Sequence, residues 1–150
     1  MFNIVLVNPE IPQNTGSIGR ICVNTDARLH IIKPISFDLG EKAIRRAGMD
    51  YWKLLDLKVW DTLEEFLKEY SDKQNRFFFA TTKTDKPYFE AKFEDGDFLF
   101  FGAESKGIPM EFMEKNRSNM ITIPMGKNGR SLNLSVSVGI VLYDAIRQNY

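Results

Sequence analysis

Several residue types that mark common classes of protein are scarce in this 150-residue sequence. A single cysteine, Cys22, excludes an internal disulfide framework. A single histidine, His30, has no second histidine or cysteine pair at metal-ligand spacing. Charged residues interrupt every apolar run before it reaches the roughly 18 residues that span a bilayer. We therefore expect a cytoplasmic protein with no membrane anchor, no metal and a buried, inert Cys22 thiol.

The chain also lacks a net charge, because its 20 basic and 20 acidic residues balance. Such a chain is poorly suited to coating nucleic acid nonspecifically, yet it can carry a local basic patch. Basic residues are frequent in the first third of the chain, whereas residues 56–72 are rich in acid. The length and a hydrophobic content of 43% predict one globular domain over residues 1–150.

The order of the predicted elements is typical of an α/β protein with a mostly parallel sheet flanked by helices. Apolar runs predict strands at residues 2–7, 28–33, 54–60, 76–82, 98–101 and 120–125. Apolar spacings of three and four predict helices at residues 14–25, 41–48, 63–70 and 133–148. Asn14 or Thr15 is the expected cap of the first helix, and the last begins near Ser131 or Asn133. We expect the strands at 76–82 and 98–101 to lie at the sheet centre, because they are the most apolar.

Three loops that follow predicted strands are rich in glycine and polar residues, at 14–20, 102–107 and 126–133. In a parallel α/β sheet such loops gather at the carboxyl edge, where ligands bind. The first loop lacks the G-x-G opening of a dinucleotide-binding fingerprint, and the sequence has no P-loop. The three loops together therefore predict a ligand site of another kind.

Two charged residues in these loops each admit more than one interpretation. Arg20 is either a solvated helix arginine or, beside Asn14, a group that grips a phosphate or a sugar. Glu104 could hold a ribose, orient an arginine or accept a proton, but it could equally be a turn residue that forms a helix cap or pairs with Lys106. The residues alone leave these alternatives open.

Four longer motifs follow one another along nearly the whole chain. They are N-P-E-I-P-Q-N-T-G-S-I-G-R at 8–20, R-R-A-G-M-D-Y at 45–51, F-G-A-E-S-K-G-I-P at 101–109 and I-P-M-x4-R-S-L-N-L-S-V at 123–136. In this order and spacing they resemble the SPOUT class of RNA methyltransferases. Within that class the chain resembles the TrmL (YibK) family of tRNA 2′-O-methyltransferases.

The resemblance implies a SPOUT fold whose C-terminal segment forms a deep trefoil knot. It implies an enzyme that transfers a methyl group from S-adenosylmethionine to the ribose 2′-hydroxyl of the wobble nucleotide, cytidine or modified uridine, in the anticodon stem-loop of a tRNA. It also implies a homodimer with composite active sites. Methylation of another RNA and a non-catalytic RNA-binding module remain the alternatives.

The resemblance further implies three sets of site residues. The catalytic set is Arg20, Asn14 and Glu104. The cofactor set is Ala80, Gly102, Glu104, Gly107, Ile123, Met125, Ser131, Leu132 and Asn133. The RNA-binding set is Arg20, Arg45, Arg46, Lys106, Arg130 and Tyr143. Arginine stays protonated in proteins, so we expect Arg20 to hold a phosphate and stabilise the developing alkoxide rather than to act as a base.

The final predicted helix is apolar over more than one face, which agrees with dimerisation through it. On this interpretation a Val141→Glu substitution should dissociate or destabilise the protein.

Overall fold

A computed structural model describes residues 1–40, 42 and 52–150 of the chain. The described strands are β1 (Asn3–Val7), β2 (Arg28–Ile32), β3 (Leu57–Trp60), β4 (Phe77–Ala80), β5 (Phe98–Phe101) and β6 (Met120–Ile121). They pair in parallel in the order β3-β2-β1-β5-β4-β6. The predicted α/β class with a parallel sheet is confirmed.

The helices lie on both faces of this sheet. They are α1 (Pro12–Thr25), α2 (Leu63–Glu69), α3 (Met110–Met113) and α4 (Leu134–Gln148). Short 3-10 turns at Trp52–Leu54, Ser71–Arg76, Tyr88–Glu90 and Glu114–Asn119 complete the described secondary structure. In the part of the chain that the structure describes, no helix is long and apolar enough to cross a bilayer. Apart from residue 42, the helix predicted at 41–48 lies outside the described residues.

The two predicted helix caps have different outcomes. Helix α1 begins at Pro12, so Asn14 and Thr15 lie inside its first turns and the prediction that either caps it is wrong. Proline at the first helical position already has the required φ and needs no N–H partner, which explains the earlier start. Asn133 does cap α4, because its Oδ1 accepts hydrogen bonds from the backbone N–H groups of Ser135 at 2.9 Å and Val136 at 3.3 Å.

The sheet differs from the prediction at its centre and at one edge. Strands β1 and β5 occupy the centre, whereas β4 is next to the edge. The last strand contains only Met120–Ile121, although residues 120–125 were predicted. Beyond it, the amide of Thr122 donates to Lys86 O at 2.8 Å and its carbonyl accepts from Tyr88 N at 2.8 Å. The chain thus leaves the sheet by pairing with the loop that follows β4. The knot remains a prediction.

Alternating side chains of the strands separate two apolar layers. Ile4 and Leu6 of β1 pack on the face that carries α1 and α4, while Val5 and Val7 face α2 and α3. Both faces are covered, which explains the continuous apolar runs in the sequence. Val141 is 1% exposed within the first layer. It therefore does not lie on an exposed dimer face, and glutamate there should destabilise the protomer itself.

Two titratable side chains are buried in these layers. Cys22 is fully buried, as predicted, and burial raises the pKa of its thiol to about 12, which agrees with the prediction that the thiol is inert. His30 is also fully buried. Trp60 Nε1 donates a hydrogen bond to His30 Nδ1 at 3.1 Å, and His30 Nε2 lies 3.0 Å from the Asn3 side-chain oxygen. The proton of the neutral ring therefore sits on Nε2 and is donated to Asn3.

Burial, reinforced by the nearby charges of Arg28 and Lys58, lowers the pKa of His30 to about 3. Its ordinary value in an unfolded chain is about 6.5. The folded state therefore favours the neutral ring, and the unfolded state binds a proton more readily. Stability from this group is fully present above about pH 6.5 and is lost as the pH falls below that value toward 3.

The free energy of unfolding should consequently be flat between pH 8 and 7 and should fall by up to about 1.4 kcal/mol per pH unit below pH 6.5. Urea unfolding from pH 8 to pH 5.3 measures this slope. His30 is the only histidine in the chain, so a His30→Gln variant should show no slope in this range. A slope that persists in the variant would contradict this assignment.

Candidate functional site

A cavity of about 480 Å³ opens beside the carboxyl ends of β4, β5 and β6. Ala80 ends β4, Gly102 directly follows β5, and Ile123 lies two residues beyond β6, and all three line the cavity. Its volume lies within the usual range for small-molecule sites. A smaller cavity of about 350 Å³ lies between α2 and α3 on the opposite face, away from the three predicted loops.

The larger cavity brings together all of the residues that the resemblance implies for cofactor binding. They are Ala80, Gly102, Glu104, Gly107, Ile123, Met125, Ser131, Leu132 and Asn133. Asn14 of α1 and Lys106 line it as well. The three loops thus meet at one edge of the sheet, as their positions after parallel strands predict. The contacts of these residues with a bound molecule remain a prediction.

The other predicted RNA-binding residues lie outside this lining. Arg20 is exposed on α1, six residues beyond Asn14 and thus about 9 Å further along the helix. Arg130 is exposed in the loop before α4, and Tyr143 is 51% exposed on α4. Arg45 and Arg46 lie outside the described residues.

Glu104 connects the loop after β5 to the beginning of α1. One carboxylate oxygen accepts the backbone N–H of Glu10 at 2.8 Å. The other accepts the backbone N–H of Ile11 at 2.8 Å and the side-chain amide of Asn14 at 3.1 Å. The carboxylate thus satisfies two backbone N–H groups just before α1 and joins them to Asn14 inside the helix. The geometry gives Glu104 a positioning role within its protomer, and its contacts with a bound molecule remain a prediction.

Asn14 continues this chain of hydrogen bonds toward α4. Its Oδ1 accepts the side-chain amide of Asn133 at 2.9 Å, and Asn133 in turn caps α4. Asn14 is 6% exposed, so its amide has little access to water and depends on these two partners. Glu104, Asn14 and Asn133 are therefore linked by one continuous chain of hydrogen bonds. It links the loop after β5, helix α1 and helix α4, which are far apart in the sequence.

Glu10 was not among the predicted site residues. Its Oε1 accepts both the backbone N–H of Ser105 at 2.8 Å and the Ser105 hydroxyl at 2.7 Å. These two hydrogen bonds, and more weakly the charge of Lys106, hold the pKa of Glu10 below its usual value. Its place in the motif at 8–20 was visible in the sequence, but only the fold shows that it meets residue 105.

The loop after β4 is a second feature that sequence reasoning missed. Thr81, Thr82 and Lys83 all line the cavity. The signal was available, because these polar residues directly follow an apolar strand, like those of the three predicted loops. Lys83 and Lys106 are both exposed and place positive charge at the cavity. Among the described residues, no group of three or more histidine, cysteine or acidic side chains could hold a metal ion.

The sequence matches the model of the SpoU rRNA methylase family over residues 1–143. A protein of Saccharophagus degradans named tRNA (cytidine(34)-2′-O)-methyltransferase is 43% identical over 149 residues, which cover 99% of this chain and 96% of that protein. A protein of Burkholderia ambifaria with the same name is 39% identical, over 99% of this chain and 96% of its own length.

Solved structures are similar to this chain as well. A structure described as showing the 2-OH methylation of C/U34 on tRNA is 38% identical and superposes with a TM-score of 0.90, covering 99% of this chain and 96% of that one. An RNA 2′-O ribose methyltransferase of 24% identity superposes with a TM-score of 0.84 over 98% of this chain and 56% of its own. This second likeness concerns the fold alone.

The close approach of Gly102 to the other side of its loop yields a test. A Cβ at position 102 would overlap the backbone of Gly107 and Ile108, whereas a Cβ at Gly126 would have no atom within 4 Å. Gly102→Ala should lower the free energy of unfolding by about 1–3 kcal/mol, because the backbone must shift. Gly126→Ala should change it by less than about 0.5 kcal/mol. Urea unfolding of both variants measures the difference, and equal stability would contradict the close packing of this loop.

Proposed function

The chain belongs to the SpoU rRNA methylase family. From this membership and from the names of its relatives we infer that it is an S-adenosylmethionine-dependent tRNA 2′-O-methyltransferase. Its target is the ribose 2′-hydroxyl of the wobble nucleotide, cytidine or modified uridine, in the anticodon. Relatives that carry this activity in their names match almost the full chain at about 40% identity. The structural observation that carries the inference is the meeting of three distant motif loops at one cavity.

The cavity suits a nucleoside-like cofactor in size and lining. Ala80, Ile123 and Leu132 provide apolar surface, while Ser131 and nearby backbone groups provide hydrogen-bonding capacity. A mostly apolar pocket with a few polar groups is the usual arrangement of such sites. We propose that the nine residues that were implied for the cofactor, from Ala80 to Asn133, hold S-adenosylmethionine here.

Bound S-adenosylmethionine supplies an electrophilic methyl group on its sulfonium. The ribose hydroxyl must approach in line with the breaking bond, so much of the rate enhancement can come from alignment. The hydroxyl must also lose its proton, which we propose leaves to water or to a nearby phosphate. We propose that Arg20 assists this step by holding a phosphate of the RNA and stabilising the developing alkoxide, since a guanidinium does not release its own proton at neutral pH.

Glu104 and Asn14 are better suited to positioning than to proton transfer. The two oxygens of Glu104 already accept three hydrogen bonds, and both polar atoms of the Asn14 side chain are engaged. A general base needs a lone pair directed at the substrate proton. We propose that the two side chains hold the loops that surround the reacting groups.

The positive side chains near the cavity fit the phosphates of a tRNA. Lys83 and Lys106 lie at the cavity, and the exposed Arg130 lies in the loop before α4. Such contacts position an RNA without reading its sequence. We propose that Lys106 and Arg130, with Arg20, Arg45 and Arg46, contribute to binding of the anticodon stem-loop. Tyr143, the sixth residue of the implied RNA-binding set, lies on the α4 face that we assign to the dimer below.

We propose that two copies of the chain form a homodimer. Val136 and Tyr143 of α4 are 48% and 51% exposed, and the half-buried Ile140 lies between them at helical spacing. These residues form an apolar stripe that the protomer leaves accessible to solvent. Arg20 does not line the cavity of its own protomer, which agrees with an active site to which a second copy contributes.

We also propose that residues 1–150 are one domain and that the protein acts in the cytoplasm. The family match over residues 1–143 and the single continuous sheet support the first proposal. A tRNA substrate supports the second.

The proposed reaction can be tested with radiolabelled S-adenosylmethionine and tRNA from cells that lack the activity. A 2′-O-methyl group blocks alkaline cleavage at its own nucleotide, so hydrolysis should leave a labelled, alkali-resistant dinucleotide that contains the wobble position. Label at another position would indicate a different RNA site. Cofactor binding without transfer to any RNA would contradict the catalytic function.

The same assay tests Arg20. Arg20→Lys keeps the positive charge but loses the planar, two-pronged donor, so turnover should fall about tenfold or more. Cofactor affinity should change little, because the role proposed for Arg20 is toward the RNA phosphate and the developing alkoxide rather than toward the cofactor. Arg117→Lys is the matched control, since Arg117 is an exposed arginine outside the cavity. Wild-type turnover of Arg20→Lys would contradict the proposed role.

The dimer can be tested by sedimentation of three glutamate variants. Val136→Glu should yield monomers that remain folded, because residue 136 is exposed in the protomer. Val141→Glu should instead unfold the protein, since it places a charge in the core. Val59→Glu, which changes a 42% exposed valine on β3, is the matched control and should remain dimeric. A Val136→Glu protein that sediments like the wild type would contradict this interface.

A further inference from the structure

We propose that Glu10 is a positioning residue, which fixes the shape of the cofactor-binding loop at residues 102–107 through Ser105. This inference rests on the proposed function of the cavity. It concerns a residue that lies outside the three implied site sets and does not line the cavity itself.

Two chain segments exchange hydrogen bonds at this point. The backbone N–H of Glu10 donates to the Glu104 carboxylate at 2.8 Å, and the backbone N–H of Ser105 donates to the Glu10 carboxylate at 2.8 Å. Each segment thus uses an acidic side chain to hold the backbone of the other. The Ser105 hydroxyl adds a third hydrogen bond at 2.7 Å. The bonds to Glu10 are open to solvent, but a charged acceptor makes them stronger than neutral ones, so the exchange joins the two segments.

The loop depends on this outside acceptor for one of its amides. The N–H groups of Lys106 and Gly107 both donate to the carbonyl of Ala103, at 3.3 and 2.8 Å. The Ser105 N–H is directed instead to Glu10. Glu10 therefore supplies a bond that sets the direction of the peptide before Ser105.

That peptide belongs to the wall of the cavity. Ser105, Lys106 and Gly107 all line it, and Gly107 has a φ of 68°, which favours glycine. A loop held in one conformation before binding loses less entropy when a ligand arrives. Loss of the Glu10 carboxylate should therefore weaken cofactor binding. It should leave the chemical step nearly intact, because Glu10 contacts no reacting group.

The test is S-adenosylmethionine binding by titration calorimetry, combined with steady-state methylation of tRNA. Glu10→Ala should raise the Kd for the cofactor about tenfold, which corresponds to the loss of one or two hydrogen bonds to a charged acceptor. Its kcat at saturating cofactor should stay within about threefold of the wild type. Glu10→Gln keeps an oxygen that can accept both Ser105 bonds, so its Kd should rise by no more than about threefold.

Ser105→Ala removes the hydroxyl donor and keeps the backbone donor, so it should have an intermediate effect. Adding it to Glu10→Ala should cause little further loss, because the two residues share the same hydrogen bonds. Glu69→Ala, at an exposed glutamate on α2 outside the cavity, is the matched control and should bind like the wild type. Thermal unfolding of each variant verifies that it is folded at the assay temperature.

Three results would overturn the inference. One is a Glu10→Ala protein whose Kd is within twofold of the wild type, another is a Glu10→Gln protein as weak as Glu10→Ala, and the third is an additive double variant. If the wild type itself binds no S-adenosylmethionine, the proposed function fails first. The wild-type titration therefore separates the two failures.

Discussion

The site depends on a chain of hydrogen bonds between polar groups of segments that are distant in sequence. Glu104 accepts from the start of α1, Asn14 joins Glu104 to Asn133, and Asn133 caps α4. Removal of one member would leave the others with unsatisfied polar groups, which is costly where water has little access. The side chains that the motifs mark as functional are thus also the ones that hold the loops together.

The parallel sheet brings the members of this hydrogen-bond chain together. Parallel strands place all of their carboxyl ends at one edge, so loops that follow β4, β5 and β6 must come close to each other. A buried aromatic layer, which includes Phe66, Phe77 and Phe98, packs on the face of the sheet opposite α1 and α4. His30 is enclosed in the same layer as a neutral ring, so its chemistry supports the fold rather than the reaction.

The sequence predicted most of the strands and the meeting of the loops, because both follow from local apolar patterns and from the geometry of a parallel sheet. It did not predict the start of α1, where a proline at the first position replaced the expected side-chain cap. Nor did it predict that Glu10 meets Ser105, a contact across 95 residues that no local pattern encodes. The placement of Val141 failed for a related reason. On a helix that is apolar over more than one face, spacing alone does not distinguish the core face from the exposed one.

The position of Arg20 bears on how the reaction and the assembly are connected. Asn14 lies at the cavity, while Arg20 lies about 9 Å further along the same rigid helix and outside the lining. A side chain so placed can act on a substrate that extends beyond the cavity, or on the cavity of a second copy that packs nearby. The apolar stripe of Val136 and Tyr143 on α4 makes the second arrangement physically reasonable, because α1 and α4 pack against each other on one face of the sheet. If two copies meet there, the hydrogen-bond chain that positions α1 in one protomer also positions Arg20 toward the other protomer. Cofactor binding and RNA binding would then be coupled through the same few hydrogen bonds.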